Sequence, residues 1–138
     1  QRAGRGAELP GPATGVVAAQ FQNDWPAVRA AAHVAPSAFS GTSAAPCMAA
    51  NRLAFVFDLA GPSLTVDTAC SSALVALDVA ATLLRSGRRG AGCDAVLLAA
   101  VNLVLDPRVS AHYAASRMLS QAGRCRTLDA SADGYLRA

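Results

Sequence analysis

The pattern of apolar and polar positions along the chain predicts an α/β protein. Three short apolar runs, rich in small or β-branched residues, are typical of buried strands: Thr14 to Ala19, Pro62 to Val66 and Asp94 to Val104. Between the last two, Ser71 to Ser86 has apolar residues at steps of three and four, which indicates a helix. A shorter helix is predicted to run to about His33, with Asn23 or Asp24 as its cap. Alternating strands and helices favour a sheet covered by helices.

The remaining segments predict connections and smaller helices. Ser40 to Ala60 combines a Gly/Ser/Thr turn, a helix of small residues, and an extended or helical apolar run. Pro107 to Ala115 is predicted to be a loop followed by a short helix. Gln1 to Ala13, rich in Gly, Pro and Arg, is predicted to be a loop or frayed end, and Ser86 to Gly92 a turn.

Cys70 stands where the second strand gives way to the long helix. Thr68 and the two serines after the cysteine can cap the start of that helix, and Gly87 can close its end. Free amides and the positive dipole end favour a thiolate at this place, and a thiolate is a nucleophile for acyl groups. The same amides can stabilise the oxyanion that forms on attack. A small buried residue in an alanine-rich core is the alternative interpretation of Cys70.

The wording around Cys70 resembles that of a known enzyme family. The segment DTACSSALVAL resembles the active-site signature of β-ketoacyl synthases, especially those of polyketide synthases. The preceding NR, aromatic run and D-x-x-GPS pattern is matched by Asn51, Arg52, Asp58, Gly61, Pro62 and Ser63. The run from Asp94 resembles the family's D-x-A-L-A-G-G-V-N, and Ser116 to Tyr135 follows its R-M-L-S-x-x-G-R-C pattern through A-D-G-Y. The resemblance covers about Thr14 to Arg137.

The chain departs from the family pattern at a few positions. Ala99 and Ala100 stand where two glycines are common, and each adds a methyl group that narrows the expected acyl pocket. The other departures are Pro46, Cys47 and Met48 for small polar residues, Gln121 and Ala122 for a Pro-Asp turn, and Leu128 for Phe.

The resemblance implies a fold and a chemistry. The fold is the thiolase-like α/β fold with layered αβαβα architecture, and residues 1–138 are expected to be a partial domain, most of its N-terminal half. Cys70 would accept an acyl group, and a carrier-bound malonyl-type extender would lose carbon dioxide and attack it to give a β-ketoacyl product. Ala69, Ala100 and Tyr113 would bind the acyl chain, and a structural role of a half-buried Tyr113 is the alternative. The family's two catalytic histidines lie in the second half, and neither His33 nor His112 matches their motifs.

The resemblance also implies partners. Substrates would arrive on the phosphopantetheine of an acyl carrier protein, and the domain itself would bind no cofactor. A homodimer would form through the strand at Ser63 to Val66. Two alternatives stay open: another thiolase-superfamily acyltransferase, such as a thiolase or chalcone-type synthase, or a non-catalytic interaction module derived from a synthase.

Composition excludes several other classes of protein. The 138 residues are 53% hydrophobic, and the net charge of +3 comes from scattered arginines, which argues against a nucleic acid partner. Arg85, Arg88 and Arg89 form the densest basic group, and they fall at a helix end where a solvated face is expected. No phosphate-binding motif of the P-loop or dinucleotide type is present in the sequence.

Cysteine spacing and hydropathy predict a reduced, cytoplasmic chain. The four cysteines lie far apart without a C-x-x-C pair, so neither a zinc site nor a dithiol centre is indicated. Asp78 and Asn102 interrupt the two most apolar stretches, and no membrane span is expected. The chain begins at Gln1 rather than Met, so we expect it to be an excerpt of something longer.

Overall fold

The computed structural model describes residues 11, 13–87 and 92–137. The chain divides into two compact units, one made of residues up to 23 and 35–102, the other of residues 24–34 and from 103 onward. The predicted loop at Gln1 to Ala13 lies outside the described residues except for two positions. So do Arg88 and Arg89 in the predicted turn after the long helix.

A parallel three-stranded sheet forms the centre of the first unit. Its strands are β1 (Thr14–Gln20), β2 (Ser63–Val66) and β3 (Ala95–Val101), in the order β2-β1-β3. All three match predicted strands, although β3 was expected to continue to Val104 and ends three residues earlier. The pairing ends there because the neighbouring strand β1 ends at Gln20, the partner of Val101.

The described residues form five α-helices. They are α1 (Trp25–Ala31), α2 (Ser40–Ala44), α3 (Met48–Val56), α4 (Ser72–Gly87) and α5 (Pro107–Ala115). The apolar run left open as extended or helical is helical, and it forms α3. Pro46 separates α2 from α3, since Ala45 before it takes an extended conformation with ψ 128°.

The core of the first unit lies on both faces of β1. Val17 and Ala19 pack against Ala76 and Ala80 of α4. Val16 and Ala18 point to the opposite face and pack against Ala50 of α3. Helices on both faces of a parallel sheet confirm the predicted α/β class, because only such layers bury a strand that is apolar on both sides.

Small residues form the buried face of α4. Ser72, Ala76 and Ala80, four residues apart, are buried, whereas Leu74 and Leu77 are 73% and 56% exposed. Spacing of four residues places the buried three on one side of the helix, where short side chains allow close approach to β1. Leu74 and Leu77 therefore lie on the side of α4 that faces away from this sheet.

The stretch Ala69–Gly87 has the length and composition to cross a membrane, with 19 residues and a mean hydropathy of 1.3. The expectation that Asp78 would keep every stretch below this limit is therefore too strict. One such helix does not indicate a membrane span, because the core helix of a soluble protein has the same length and composition.

The second unit is built around α1, α5 and the irregular segment after α5. Asp24 is the N-cap residue of α1, as predicted, but its side chain does not cap the helix. Its carboxylate makes no capping bond and instead accepts the backbone N–H groups of Leu105 and Asp106, at 3.0 and 3.1 Å. Asn23, the other predicted cap, belongs to the first unit and donates to the carbonyl of Ala44 at 2.9 Å.

Asp106 caps α5 in turn. Its carboxylate accepts the backbone N–H of Arg108 at 2.9 Å and two side-chain N–H groups of the same arginine. Farther along, Leu119 and Tyr135 form an isolated parallel bridge that joins the two ends of the irregular segment.

Candidate active site

Cys70 lies in a sharp connection between β2 and α4. The strand ends at Val66, and a single 3₁₀ turn, Ala69–Ser71, leads directly into α4. We call residues 67–72 the elbow. Cys70 is the middle residue of the 3₁₀ turn, and its side chain is exposed. The predicted passage from strand to helix at this cysteine is therefore present, and the buried interpretation of Cys70 is not what the structure shows.

The backbone of the elbow is irregular at the two residues before Cys70. Ala69 has φ of 56°, in the left-handed region. Thr68 has φ −133° and ψ 35°, outside both helix and strand values. A left-handed conformation costs a residue with a side chain about 1–2 kcal/mol, so the surroundings of Ala69 must stabilise it.

Hydrogen bonds from side chains hold this irregular backbone. The N–H of Ala69 donates to Asp67 Oδ1 at 3.0 Å. The hydroxyl of Ser71 donates to the carbonyl of Thr68 at 2.7 Å. Ser72 Oγ accepts the N–H of Thr68 at 2.8 Å and donates to the carbonyl of Ala69 at 2.6 Å. The prediction that Thr68 caps the helix through its side chain is wrong, since its side chain makes no capping bond.

The place of Cys70 suits nucleophilic chemistry. It lies two residues before the start of a helix of 16 residues, at the end where the positive end of the helix dipole stabilises negative charge. An exposed sulfur at this end can attack an electrophilic carbon, and the same field stabilises an oxyanion that forms beside it.

Ala100 lies at the same edge of the sheet as the elbow. It pairs with Ala19 of β1, and Ala19 pairs on its other side with Val66, the last residue of β2. Neighbouring strands are about 4.8 Å apart, so Ala100 is roughly 10 Å from Val66 across the sheet. Ligands of open parallel sheets bind at the carboxyl ends of the strands, and this edge carries both Ala100 and the elbow with Ala69 and Cys70.

Tyr113, the other predicted acyl-pocket residue, belongs to the second unit. It lies on α5, partly buried, with its ring edge-on to Tyr135 at a centroid distance of 6.3 Å. The guanidinium of Arg137 lies over the Tyr113 ring at 5.1 Å, within range of a cation–π contact. The sequence did not indicate this cluster, because its members are 22 and 24 residues apart. A role of Tyr113 in the acyl pocket stays a prediction.

The remaining candidate residues lie on other segments of the chain. His33 and His112 are both exposed, the first just after α1 and the second on α5. Cys47 and Cys125 are exposed, Cys93 is buried, and each of the four cysteines is a free thiol. Within residues 11, 13–87 and 92–137, no group of three His, Cys, Asp or Glu side chains could hold a metal ion.

Comparison with known proteins defines the family. The β-ketoacyl synthase N-terminal domain model matches residues 1–138. The chain belongs to this family.

Relatives of known name are large synthases. Cyclo-acetoacetyl-L-tryptophan synthase of Aspergillus oryzae is 40% identical over 130 residues, covering 94% of this chain and 3% of that protein. Polyketide synthase ThaG of Burkholderia thailandensis is 42% identical over 137 residues, covering 99% of this chain and 2% of the relative. The fatty acid synthase of Anser anser anser is 47% identical over 90 residues, covering 65% of this chain and 24% of that protein.

Solved ketosynthases share the fold. The oxazolomycin ketosynthase domain OzmH KS7 of Streptomyces albus JA3453 has a TM-score of 0.75 and 31% identity, over 89% of this chain and 20% of the ketosynthase chain. The ketosynthase from module 6 of the bacillaene synthase of Bacillus subtilis 168 has a TM-score of 0.75 and 26% identity, over 91% and 20% of the two chains. These neighbours confirm the predicted thiolase-like fold. The chain spans a fifth of their length.

Proposed function

We propose that this chain supplies the nucleophilic cysteine of a β-ketoacyl synthase that makes a polyketide or a fatty acid. One observation carries the proposal: Cys70 is exposed in a strained elbow directly before α4, within a chain that belongs to the synthase family. Strained backbone next to an exposed nucleophile is typical of active sites. The catalytic role of Cys70 and the substrate-binding roles of Ala69, Ala100 and Tyr113 are part of this proposal.

The first half-reaction is acyl transfer. Cys70 Sγ, as a thiolate, attacks the carbonyl carbon of an acyl thioester and forms a new carbon–sulfur bond. The original carbon–sulfur bond breaks, and the departing phosphopantetheine thiol takes up a proton. The positive dipole end of α4 would stabilise the oxyanion between these steps.

The second half-reaction is decarboxylative condensation. A malonyl-type extender loses carbon dioxide, and the electron pair of the broken bond attacks the carbonyl carbon of the acyl group on Cys70. The Cys70 thiolate leaves, and a β-ketoacyl thioester remains on the extender's carrier. The negative charge that develops in this step needs hydrogen-bond donors to stabilise it, and in the family two histidines supply them. Because neither His33 nor His112 lies in a matching motif, we infer that these two histidines lie outside residues 1–138.

Substitution of Cys70 tests the proposed reaction in the natural protein that carries this chain. Acyl and malonyl thioesters are supplied, and β-ketoacyl product is measured by mass spectrometry. Cys70→Ala should abolish condensation, whereas the matched control Cys47→Ala, at another exposed cysteine that precedes a helix, should retain it. Product formation by Cys70→Ala at the wild-type rate would refute the proposal. Acyl transfer by the wild type to a thiol acceptor, without condensation, would favour the alternative of a different thiolase-superfamily acyltransferase.

We further infer that β2 pairs with its copy in a homodimer. Pro62 O accepts the N–H of Val16, and alternate residues of a parallel strand face the same neighbour, so Thr65 directs its N–H away from β1. Within the described part of the chain, Thr65 Oγ1 is buried without a hydrogen-bond partner. A second strand along this side of β2 would supply acceptors for the amide.

Thr65→Pro tests the dimer, because proline removes an amide that β1 does not use. The natural protein with this change should sediment as a monomer, whereas Thr65→Val, which keeps the amide, should sediment as a dimer. A Thr65→Pro protein that remains dimeric with normal activity would contradict the proposed pairing.

The other partners follow from the proposed reaction. Substrates would arrive on the phosphopantetheine of an acyl carrier protein, and the chain itself would bind no cofactor. The proposed location is the cytoplasm, in keeping with four free thiols.

A further inference from the structure

Ser72 has a hydroxyl that bridges both irregular residues of the elbow. Ser72 is buried, with 5% of its surface exposed. Its Oγ accepts the N–H of Thr68 at 2.8 Å and donates to the carbonyl of Ala69 at 2.6 Å. The backbone N–H of Ser72 donates to the same carbonyl of Ala69. One residue thus contacts the two backbone units that precede Cys70.

These bonds oppose the natural relaxation of Ala69. Its φ of 56° is unfavourable for alanine, which prefers negative φ. If Ala69 moved to a negative φ, its carbonyl would rotate away from Ser72 Oγ. The peptide that follows Ala69 would rotate with it, and so would the Cα–Cβ bond of Cys70.

Burial distinguishes Ser72 from the neighbouring serine. Ser71 is exposed, and water can replace its hydroxyl bonds to Thr68 if they are lost. Ser72 is buried on the side of α4 that faces the sheet. If its hydroxyl were removed, water could less easily replace its bonds to the N–H of Thr68 and the carbonyl of Ala69.

We propose that Ser72 is a positioning residue for Cys70: its hydroxyl holds Ala69 in the left-handed conformation and thereby aims the sulfur. The contribution of this orientation of the sulfur to acyl transfer rests on the proposed function. A helix-capping role alone would require the hydroxyl but would not depend on the φ of Ala69.

A double-mutant cycle separates these two roles. Glycine adopts positive φ without the conformational cost that alanine carries. In Ala69→Gly, residue 69 should therefore keep its positive φ without the hydrogen bonds of the Ser72 hydroxyl. The variants are Ser72→Ala, Ala69→Gly and the double variant, made in the natural protein that carries this chain. Ser116→Ala is the control, since it removes a hydroxyl-to-carbonyl bond of 2.9 Å at the end of α5.

Two rates are measured by peptide mass spectrometry at Cys70 across pH: acylation by the N-acetylcysteamine thioester of acetate, and alkylation by iodoacetamide. Ser72→Ala should slow acylation by about 10- to 100-fold, the scale expected when a reacting atom is displaced by about 1 Å. The double variant should acylate within about threefold of Ala69→Gly. Ser116→Ala should match the wild type.

Each result decides one question. Equal acylation rates for Ser72→Ala and wild type would overturn the positioning role, and so would a double variant that stays as slow as Ser72→Ala. If Ser72→Ala does not fold, a folded and active double variant supports the proposal, and an unfolded one overturns it. If wild-type Cys70 takes no acyl group, the proposed function fails. The alkylation rates of the same four variants then still test the positioning of the sulfur.

Discussion

Gly61→Ala tests the fit between the start of β2 and the start of β1. A Cβ added at Gly61 would lie 2.5 Å from both the carbonyl carbon and oxygen of Thr14 and 2.6 Å from the nitrogen of Gly15. These are backbone atoms of a buried strand, so no side chain can rotate away to make room. Ordinary contact begins near 3.4 Å, and the segment must therefore shift by about 0.9 Å.

The shift would break specific bonds. Gly61 donates its N–H to the carbonyl of Thr14 at 3.1 Å, and Val16 donates to the carbonyl of Pro62 at 2.8 Å. Each lost bond costs about 0.5–1.5 kcal/mol, and overpacking adds about 1–3 kcal/mol. The expected loss in unfolding free energy is about 2–6 kcal/mol, a large part of the roughly 5–15 kcal/mol that stabilises a typical domain.

Denaturant unfolding of the natural protein that carries this chain measures this loss. The matched control is Gly41→Ala in α2, where a Cβ meets nothing within 4 Å. That control should be neutral or slightly stabilising, because alanine favours helix over glycine by up to about 1 kcal/mol. Gly61→Ala should also slow acylation at Cys70, since β2 leads into the elbow. A Gly61→Ala protein within about 0.5 kcal/mol of wild type, with normal acylation, would refute this reasoning.

Three further predictions concern α5, the isolated chain and the four thiols. The side-chain hydrogen bonds from Arg108, and then its backbone N–H, lower the pKa of Asp106 below its ordinary 3.8. The folded state thus favours the carboxylate. The contribution of Asp106 to the unfolding free energy should be fully present above about pH 3.8 and should be lost as the pH falls further. In thermal melts, the melting temperature of Asp106→Asn should fall less steeply at acid pH than that of the wild type. The same dependence of melting temperature on pH in both proteins would contradict this prediction. Residues 1–138 alone should not condense acyl and malonyl thioesters, because Leu74, Leu77 and Leu84 of α4 are exposed and the inferred histidines are missing. Turnover at the rate of a complete synthase would make His33 or His112 catalytic after all. Competitive labelling with iodoacetamide near neutral pH should modify Cys70 fastest, and equal or faster labelling of Cys47, Cys93 or Cys125 would contradict its assignment.

Local patterns predicted the strands, the helices and the place of Cys70. The passage from β2 to α4 is encoded within a few residues, by a short apolar run, polar capping residues and a helical repeat, and the structure has it within one residue at each end. Such signals act between neighbours in the chain, so they can be read without knowledge of the tertiary fold.

Contacts between distant residues could not be predicted in this way. Asp24 was expected to cap the helix beside it, but it binds backbone amides 81 and 82 residues away. A cap and a long-range acceptor are the same chemical group, and the choice between them depends on which donors the fold brings near.

The buried side of α4 was also beyond the sequence pattern. The helix is apolar on nearly every side, so periodicity identified the helix without indicating which side would face the sheet. The left-handed φ of Ala69 is a similar case. Alanine carries no signal for positive φ, and the hydroxyl that supports it comes from Ser72, a residue expected to act as an ordinary cap.

Acylation of Cys70 is the measurement that bears most directly on the proposed function. The natural protein that carries this chain is incubated with an acyl thioester, digested, and analysed by peptide mass spectrometry. The acyl mass should appear on the peptide with Cys70 and not on those with Cys47, Cys93 or Cys125, and a malonyl thioester added afterwards should remove it as a β-ketoacyl product. Two results would contradict the assignment of Cys70 as the nucleophile. One is a Cys70 that stays unmodified, and the other is an acyl group on a different cysteine that is converted to β-ketoacyl product when malonyl thioester is added.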